Sequence, residues 1–250
     1  MGNMKSVRSL GVAFAMGLAA TFAQIQPSAA QTYNWTGLYF GAHLGGAWST
    51  SDATDVLPGG GDFTSGFGDT FSFDGGGIAG GGQLGYQAQF SNWVLGAEIA
   101  GTWADLGDPH RSPFFPGTDR VDMRITPVFT ATARLGYAWD RWLAYVKGGY
   151  AGADAEFRAD DTFAGVGLRG NSQWLSGYTV GAGFEYALYD GIRLGLDYAY
   201  VDLGSSTLHT VTSLGAPERY DLSSEMHTVT ARLNFQLSRP APAPIYEPMK

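Results

Sequence analysis

The fold is decided by residues 34–48, NWTGLYFGAHLGGAW. Leu38, Phe40, Ala42, Leu44 and Trp48 share one parity, while Gly37, Tyr39, Gly41, His43 and Gly45 hold the positions between. Side chains of an extended strand alternate between its faces, so this stretch carries an apolar face and a face of small and hydrogen-bonding groups. A strand of a soluble sandwich reads the same way. Three further features separate the two: whether the pattern recurs, where the aromatic residues fall, and what precedes it.

The 250-residue chain has 37 glycines, 14% aromatic residues, 15% charged residues and no cysteine. Abundant glycine with abundant Tyr, Phe and Trp, and little Lys or Glu, favours strands over helices. Beyond the N-terminal segment no apolar run approaches about 18 residues, which excludes a helical membrane protein. A mean hydropathy of -0.08 still fits a barrel, because lumen-facing polar residues dilute the average. The lack of cysteine excludes a disulfide framework and thiolate metal sites.

Residues 1–30 read as a signal peptide. Lys5 and Arg8 form a basic region, Leu10 to Ala23 an apolar core, and Ser28-Ala29-Ala30 a small-residue cleavage site. The mature chain is expected to begin near Gln31. Losing Lys5 and Arg8 takes the formal charge from -8 to -10, an acidic balance that argues against nucleic acid as a partner.

The alternation recurs seven more times: from Ile78 to Phe90, Trp93 to Trp103, Arg124 to Tyr137, Trp142 to Ala153, Trp174 to Tyr186, Ile192 to Tyr200, and Thr228 to Leu237. Short turns are expected at Ser91-Asn92, Trp139-Asp140-Arg141 and Tyr189-Asp190-Gly191. Long loops are expected over 49–75, 106–123, 154–173 and 203–225. Residues 238–250 form a proline-rich tail. Eight strands joined alternately by long loops and tight turns predict an all-β fold, an eight-stranded antiparallel up-and-down transmembrane β-barrel over 31–237. Both chain ends then lie in the periplasm.

All seven tryptophans, Trp35, Trp48, Trp93, Trp103, Trp139, Trp142 and Trp174, fall at strand ends or turns, the pattern of an aromatic girdle at two membrane interfaces. The faces opposite the apolar ones carry Glu98, Arg124, Arg134, Lys147, Glu185, Arg193, Asp197 and Arg232. On a lipid face an Arg or Lys at the midplane costs about 2–4 kcal/mol. These eight are therefore expected to form a lumen polar network, with Gly41, Gly45, Gly81 and Gly85 leaving room for the arginines. In the strand from Trp142, Leu143 and Tyr145 share the face of Lys147 and blur the pattern. His227 starts the last strand on the apolar side.

The expected loops and their flanks hold 17 of the 23 acidic residues. That charge keeps strand edges apart and the surface hydrated; a sharper reading has carboxylates sharing divalent cations with lipopolysaccharide phosphates. His110 and His209, on different outer loops, are possible ligand residues for haem or a metal ion, though loop histidines are usually only solvated. Gly80-x-Gly82-x-x-Gly85 has the letters of a dinucleotide fingerprint but sits inside an alternating strand and opens no helix. Asp108, His110 and Ser112 sit too close together on a proline-rich loop to have the rigid support catalysis needs, so no enzyme activity is expected.

The stretches NWTGLYFGAHLGGAW, WVLGAEIAGTW, DRWLAYVKGGYA and HTVTARLNF resemble the Omp25/Omp31-like outer-membrane β-barrel family of alphaproteobacteria, a porin and opacity group related to the OmpA transmembrane domain. The resemblance covers the mature chain apart from loop tips and tail. It implies a structural barrel in the cell outer membrane that maintains envelope integrity and presents acidic loops, without cofactor or metal. Its alternatives are a narrow porin and a haem-binding surface receptor. It also implies the barrel-assembly machinery as a partner, for which Phe235 is the terminal signal; beside it, outer-membrane lipid and lipopolysaccharide are expected partners of the barrel and its acidic loops, and peptidoglycan a partner of the tail, which is far too short to be an OmpA-type peptidoglycan domain. The chain departs from that signal pattern by continuing thirteen residues past Leu237.

Overall fold

The computed structural model describes residues 33–57, 68, 70–105, 110–111, 119–161, 166–168, 172–211 and 217–237. The expected signal peptide and tail, with most of the loop tips, lie outside these residues. The eight long strands are β1 (Gly37–Asp55), β2 (Thr70–Phe90), β3 (Trp93–Asp105), β5 (Asp119–Trp139), β6 (Trp142–Asp161), β8 (Ser172–Tyr189), β9 (Ile192–Val211) and β10 (Pro217–Gln236). Two short ones, β4 (His110–Arg111) and β7 (Val166–Leu168), add to β5 and β6. Each long strand pairs antiparallel with its neighbours, and β1 pairs with both β2 and β10, so the sheet closes into a barrel. At the closing seam Phe40 stacks on Phe235, with ring centroids 5.5 Å apart.

The turns at one end are tight, and two of them hold a non-glycine residue at positive φ: Ser91 at 56° and Asp140 at 53°. The left-handed region crowds a Cβ against the backbone, which Asp tolerates better than Ser. Ser91→Gly is expected to stabilise the barrel by about 0.5–1 kcal/mol, read as a higher urea midpoint in lipid vesicles. An unchanged or lower midpoint speaks against strain at this turn.

At the other end the strands run further than the alternation predicts. β1 continues to Asp55 rather than stopping at Trp48, β2 begins at Thr70, β5 at Asp119, and β9 and β10 extend to Val211 and from Pro217. These extensions belong to the spans expected as loops. Apolar alternation marks only the part of a strand that meets lipid, whereas the backbone ladder continues wherever side chains can pair across it. Here they pair through polar groups: Thr50 with Asp74 at 2.9 Å, Asp52 with Ser72 at 2.6 Å, Thr54 with Thr70 at 3.0 Å and Thr207 with Asp221 at 2.6 Å.

Between the short turns and these extensions the outer surface is apolar, with Leu44, Ile99, Val146 and Leu196 among its exposed residues. Trp48, Trp93, Trp103, Trp142 and Trp174 are 42–57% exposed on that surface. Trp139 is half-buried and stacks on Tyr137. Trp35 is a correction: it is fully buried inside the barrel, not on the girdle. Its parity matches Gly37, Tyr39 and His43, so alternation carried past the start of β1 turns it inward. His227 is half-buried on the outside, stacked on Trp48 at 5.6 Å and 2.8 Å from the Tyr198 hydroxyl through Nδ1.

Candidate functional site in the barrel lumen

An eight-stranded barrel has an interior just wide enough for its own side chains to fill. Opposed residues in an antiparallel pair project to the same side, so strand register sets which inward groups share a level. Tyr39, Gly85 and Glu98 form one row across β1, β2 and β3. His43, Arg232, Gly195 and Glu185 form another across β1, β10, β9 and β8. Thr230, Asp197, Gly183 and Tyr145 form a third from β10 to β6. Because the sheet is closed, long side chains also reach across the lumen to strands that are not neighbours.

The result is a single alternating chain of charges. Lys147 Nζ lies 2.6 Å from Asp197 Oδ1, and Asp197 Oδ2 lies 3.4 Å from Arg232 Nη1. Arg232 Nη2 reaches Glu98 Oε2 at 2.6 Å, and the same oxygen lies 3.2 Å from Arg134 Nη1. Arg134 Nη2 lies 2.6 Å from Glu185 Oε1, and Glu185 Oε2 lies 3.3 Å from Arg193 Nη1. Six of these seven side chains are at most 5% exposed, and Lys147 is 10% exposed. The structure thus brings together seven of the eight residues that the alternation places on the inner face. The eighth, Arg124, has a side chain outside the described residues.

One juxtaposition in the chain needs explaining. Arg134 and Lys147 are direct cross-strand partners, and like charges placed opposite one another are unfavourable. Each is drawn instead to acids elsewhere, Arg134 to Glu98 and Glu185, Lys147 to Asp197. The curvature of the sheet allows this, since each acid lies two strands away, Glu185 on β8 beyond β6 from Arg134 and Asp197 on β9 beyond β8 from Lys147.

Two tyrosines, not among the expected site residues, hold the chain in place. The Tyr39 hydroxyl donates to Glu98 Oε2 at 2.8 Å and accepts from Arg134 Nη1 at 2.5 Å, while Arg193 Cζ lies 4.5 Å from its ring centroid. The Tyr145 hydroxyl donates to Asp197 Oδ2 at 2.6 Å and accepts from Arg232 Nη1 at 3.3 Å, with Arg134 Cζ 3.7 Å from its ring centroid. A tyrosine satisfies an acid with its hydroxyl and a guanidinium with its face. The inward glycines make room for these rings and for amides rather than for arginines. A Cβ on Gly85 or on Gly183 would stand 2.5 Å from the Tyr39 or the Tyr145 hydroxyl, and one on Gly81 would stand 2.8 Å from His43 Nε2.

On the short-turn side of the chain, Trp35, Tyr33, Leu143 and Val94 form an apolar layer that fills the lumen. Toward the long-loop end a second layer contains Leu175, Leu203, Met226 and Val201. Between the ionic chain and this second layer His43 is fixed by two bonds: Nδ1 to Gln83 Oε1 at 2.7 Å and Nε2 to Thr102 Oγ1 at 3.0 Å. Gln83 donates its amide nitrogen to Asn234 Oδ1, so its oxygen accepts; His43 then carries its proton on Nδ1, and Thr102 donates to Nε2. The side chains of His110 and His209 lie outside the described residues, so the paired-ligand reading has no geometry here. Among the described residues no group of three or more His, Asp or Glu is placed to hold a metal ion.

The family model described as the outer membrane protein beta-barrel domain matches residues 13–235. Two curated relatives, the 31 kDa outer-membrane immunogenic proteins of Brucella melitensis and Brucella suis, are each 29% identical over 254 residues, which is 93% of this chain and 100% of theirs. Among solved structures, the outer membrane protease OmpT from Escherichia coli superposes with a TM-score of 0.52 at 9% identity, over 84% of this chain and 99% of that one. The outer membrane protein OprG from Pseudomonas aeruginosa gives a TM-score of 0.48 at 12% identity, over 82% and 99%. At such identities a structural likeness speaks to the fold alone.

Proposed function

The chain belongs to the outer membrane protein beta-barrel domain family and is a protein of the outer membrane; from that premise we propose that it is a structural barrel that helps hold the envelope together and presents acidic outer segments, rather than a pore, receptor or enzyme. The observation that supports this reading is the filled lumen. A solute crossing the barrel meets an apolar layer around Leu175 and Met226, then the ion-paired chain, then the layer of Trp35 and Leu143. The chamber between the outer layer and the ionic chain holds about 40 Å3, room for a few waters and not for a nutrient.

The acidic residues of the outer strand ends are the basis for a partnership with lipopolysaccharide through shared divalent cations. The barrel-assembly machinery is the partner proposed for the closing strand with Phe235, and peptidoglycan the partner proposed for the tail. The experiment is a pair of measurements. Purified protein in planar bilayers is expected to give no stable conductance steps, and a deletion strain is expected to become sensitive to bile salts and chelators, with rescue by the intact gene. Reproducible channels from the wild-type protein overturn the structural reading in favour of a narrow porin. A deletion strain with an unaltered envelope overturns it outright.

A further inference from the structure

The polar lumen is built twice. Across β1, β2, β3 and β5 one cross-strand row runs Tyr39, Gly85, Glu98, Thr132, and across β6, β8, β9 and β10 another runs Tyr145, Gly183, Asp197, Thr230. Two residues past the threonine each row is completed by an arginine, Arg134 or Arg232. The bonding repeats as well. Each tyrosine hydroxyl donates to the acid of its own row and accepts from Nη1 of its own arginine, and that nitrogen lies 3.2 Å from Glu98 in the first set and 3.4 Å from Asp197 in the second. The eight long strands are thus two sets of four with matching lumen side chains, the first ending on β5 and the second on β10.

The match is closest in the strand that ends each set. Residues 130–137 read TATARLGY and residues 228–235 read TVTARLNF, with five of eight letters identical and an aromatic last in both. Parity divides these letters between two faces. The threonines and the arginine of each stretch face the lumen, where the repeated network accounts for them. Ala133, Leu135 and Tyr137, like Ala231, Leu233 and Phe235, are exposed on the lipid face, where any apolar side chain would serve. In the other three strand pairs no two successive outward positions are kept: Leu38 and Phe40 of β1, for example, stand where β6 has Ala144 and Val146. Lipid does not ask for alanine, leucine and an aromatic in that order, so the outward repeat answers to something else that meets the strand. Both edges of β5 are taken by β3 and β6 in the closed barrel, which dates that meeting to before closure.

We propose that residues 130–137 of β5 are a second recognition strand for the barrel-assembly machinery, read before β6 pairs, as residues 228–235 are read at the end of the barrel. The inference rests on the role proposed for Phe235 in the closing strand. A partner that takes a strand by its open edge is specified by the alternate side chains it meets, here Ala133, Leu135 and Tyr137. The first four strands are then held as a sheet until the second four close on it. The test delivers the urea-unfolded full chain to liposomes with and without the purified barrel-assembly machinery of a Gram-negative bacterium, and follows the folded form by its gel shift. Tyr137→Gln and Phe235→Gln are each expected to slow the assisted reaction about tenfold, the usual loss of one aromatic anchor, and the double variant is expected to be slower than either. The control is Phe90→Gln, since Phe90 pairs with Trp93 and Trp93 with Tyr137 in one row of the lipid face; it is expected to keep the wild-type assisted rate. Tyr137→Gln at the wild-type assisted rate overturns the proposal, as does a slowing that Phe90→Gln or the bare liposomes reproduce, because it is then a lost girdle contact. Slowing at Phe235 alone leaves the closing-strand signal standing and refutes the second; slowing at Tyr137 alone supports the signal on β5 and refutes the one on β10; no slowing at either refutes both. Where Tyr137→Gln does not fold even in detergent micelles, Leu135→Thr on the same face takes its place with the same expected slowing.

Discussion

Glu98→Leu is expected to destabilise the barrel by about 3–5 kcal/mol, the cost of removing one partner from a buried ionic network. One oxygen of Glu98 takes Arg232 at 2.6 Å, Arg134 at 3.2 Å and the Tyr39 hydroxyl at 2.8 Å. Its loss leaves two guanidinium groups, each 3% exposed, facing one another with no charge between them. Arg134 keeps Glu185 and Arg232 keeps Asp197, which is why the loss stays within that range. Glu98→Gln, which retains an acceptor oxygen, is expected to lose less. Glu98→Leu combined with Arg232→Met is expected to recover part of the loss, because it removes one of the two facing cations together with the acid. Urea unfolding in lipid vesicles, followed by the shift between folded and boiled forms on gels, measures all three. A Glu98→Leu midpoint indistinguishable from wild type would show that the chain of ion pairs contributes little, and the closed lumen would then rest on its apolar layers alone.

The reach of the sequence reading follows from what alternation encodes. Parity assigns each side chain to a face, and lipid forbids charge on one face, so Glu98, Arg134, Lys147, Glu185, Arg193, Asp197 and Arg232 could be placed inside without any knowledge of three-dimensional position. Which acid meets which base was not legible. Arg232 of β10 meets Glu98 of β3 only because β1 and β10 pair and close the sheet, and the separation along the chain says nothing of the distance across the tube. Tyr145 was visible as an irregularity, an aromatic on the face of Lys147; in the lumen that position places its hydroxyl on Asp197 and its ring on Arg134. The strand extensions were hidden for a different reason. Above the bilayer neither face is apolar, so Thr50, Asp52 and Thr54 read as loop although their backbone stays in the ladder. A bulge hides parity in the same way, as between Ile125 and Val128.

Trp35 is where the two kinds of signal conflicted, since its position at a strand end points to the membrane interface and its parity points to the lumen. The structure resolves the conflict through hydrogen bonds. The Trp35 amide donates to Gln89 Oε1 at 2.8 Å and its carbonyl accepts from Gln87 Nε2 at 2.9 Å, which carries the chain just before β1 inward under the ionic network. The ring packs edge-on to Tyr33 at 4.9 Å and lies 5.5 Å from Arg193 Cζ. Trp35→Ala is therefore expected to lower stability by about 3–5 kcal/mol, the usual cost of emptying a buried aromatic position. Conductance is expected to stay absent, because the chain from Lys147 to Arg193 still blocks the tube. Fluorescence distinguishes this from the loss of an interfacial anchor. Lipids brominated along the acyl chain are expected to quench the tryptophans on the outer surface and spare Trp35, so the wild-type emission retains an unquenched component that Trp35→Ala removes. Full quenching of the wild-type protein, or an alanine variant as stable as its parent, would return Trp35 to the girdle and leave the short-turn end of the lumen without its seal.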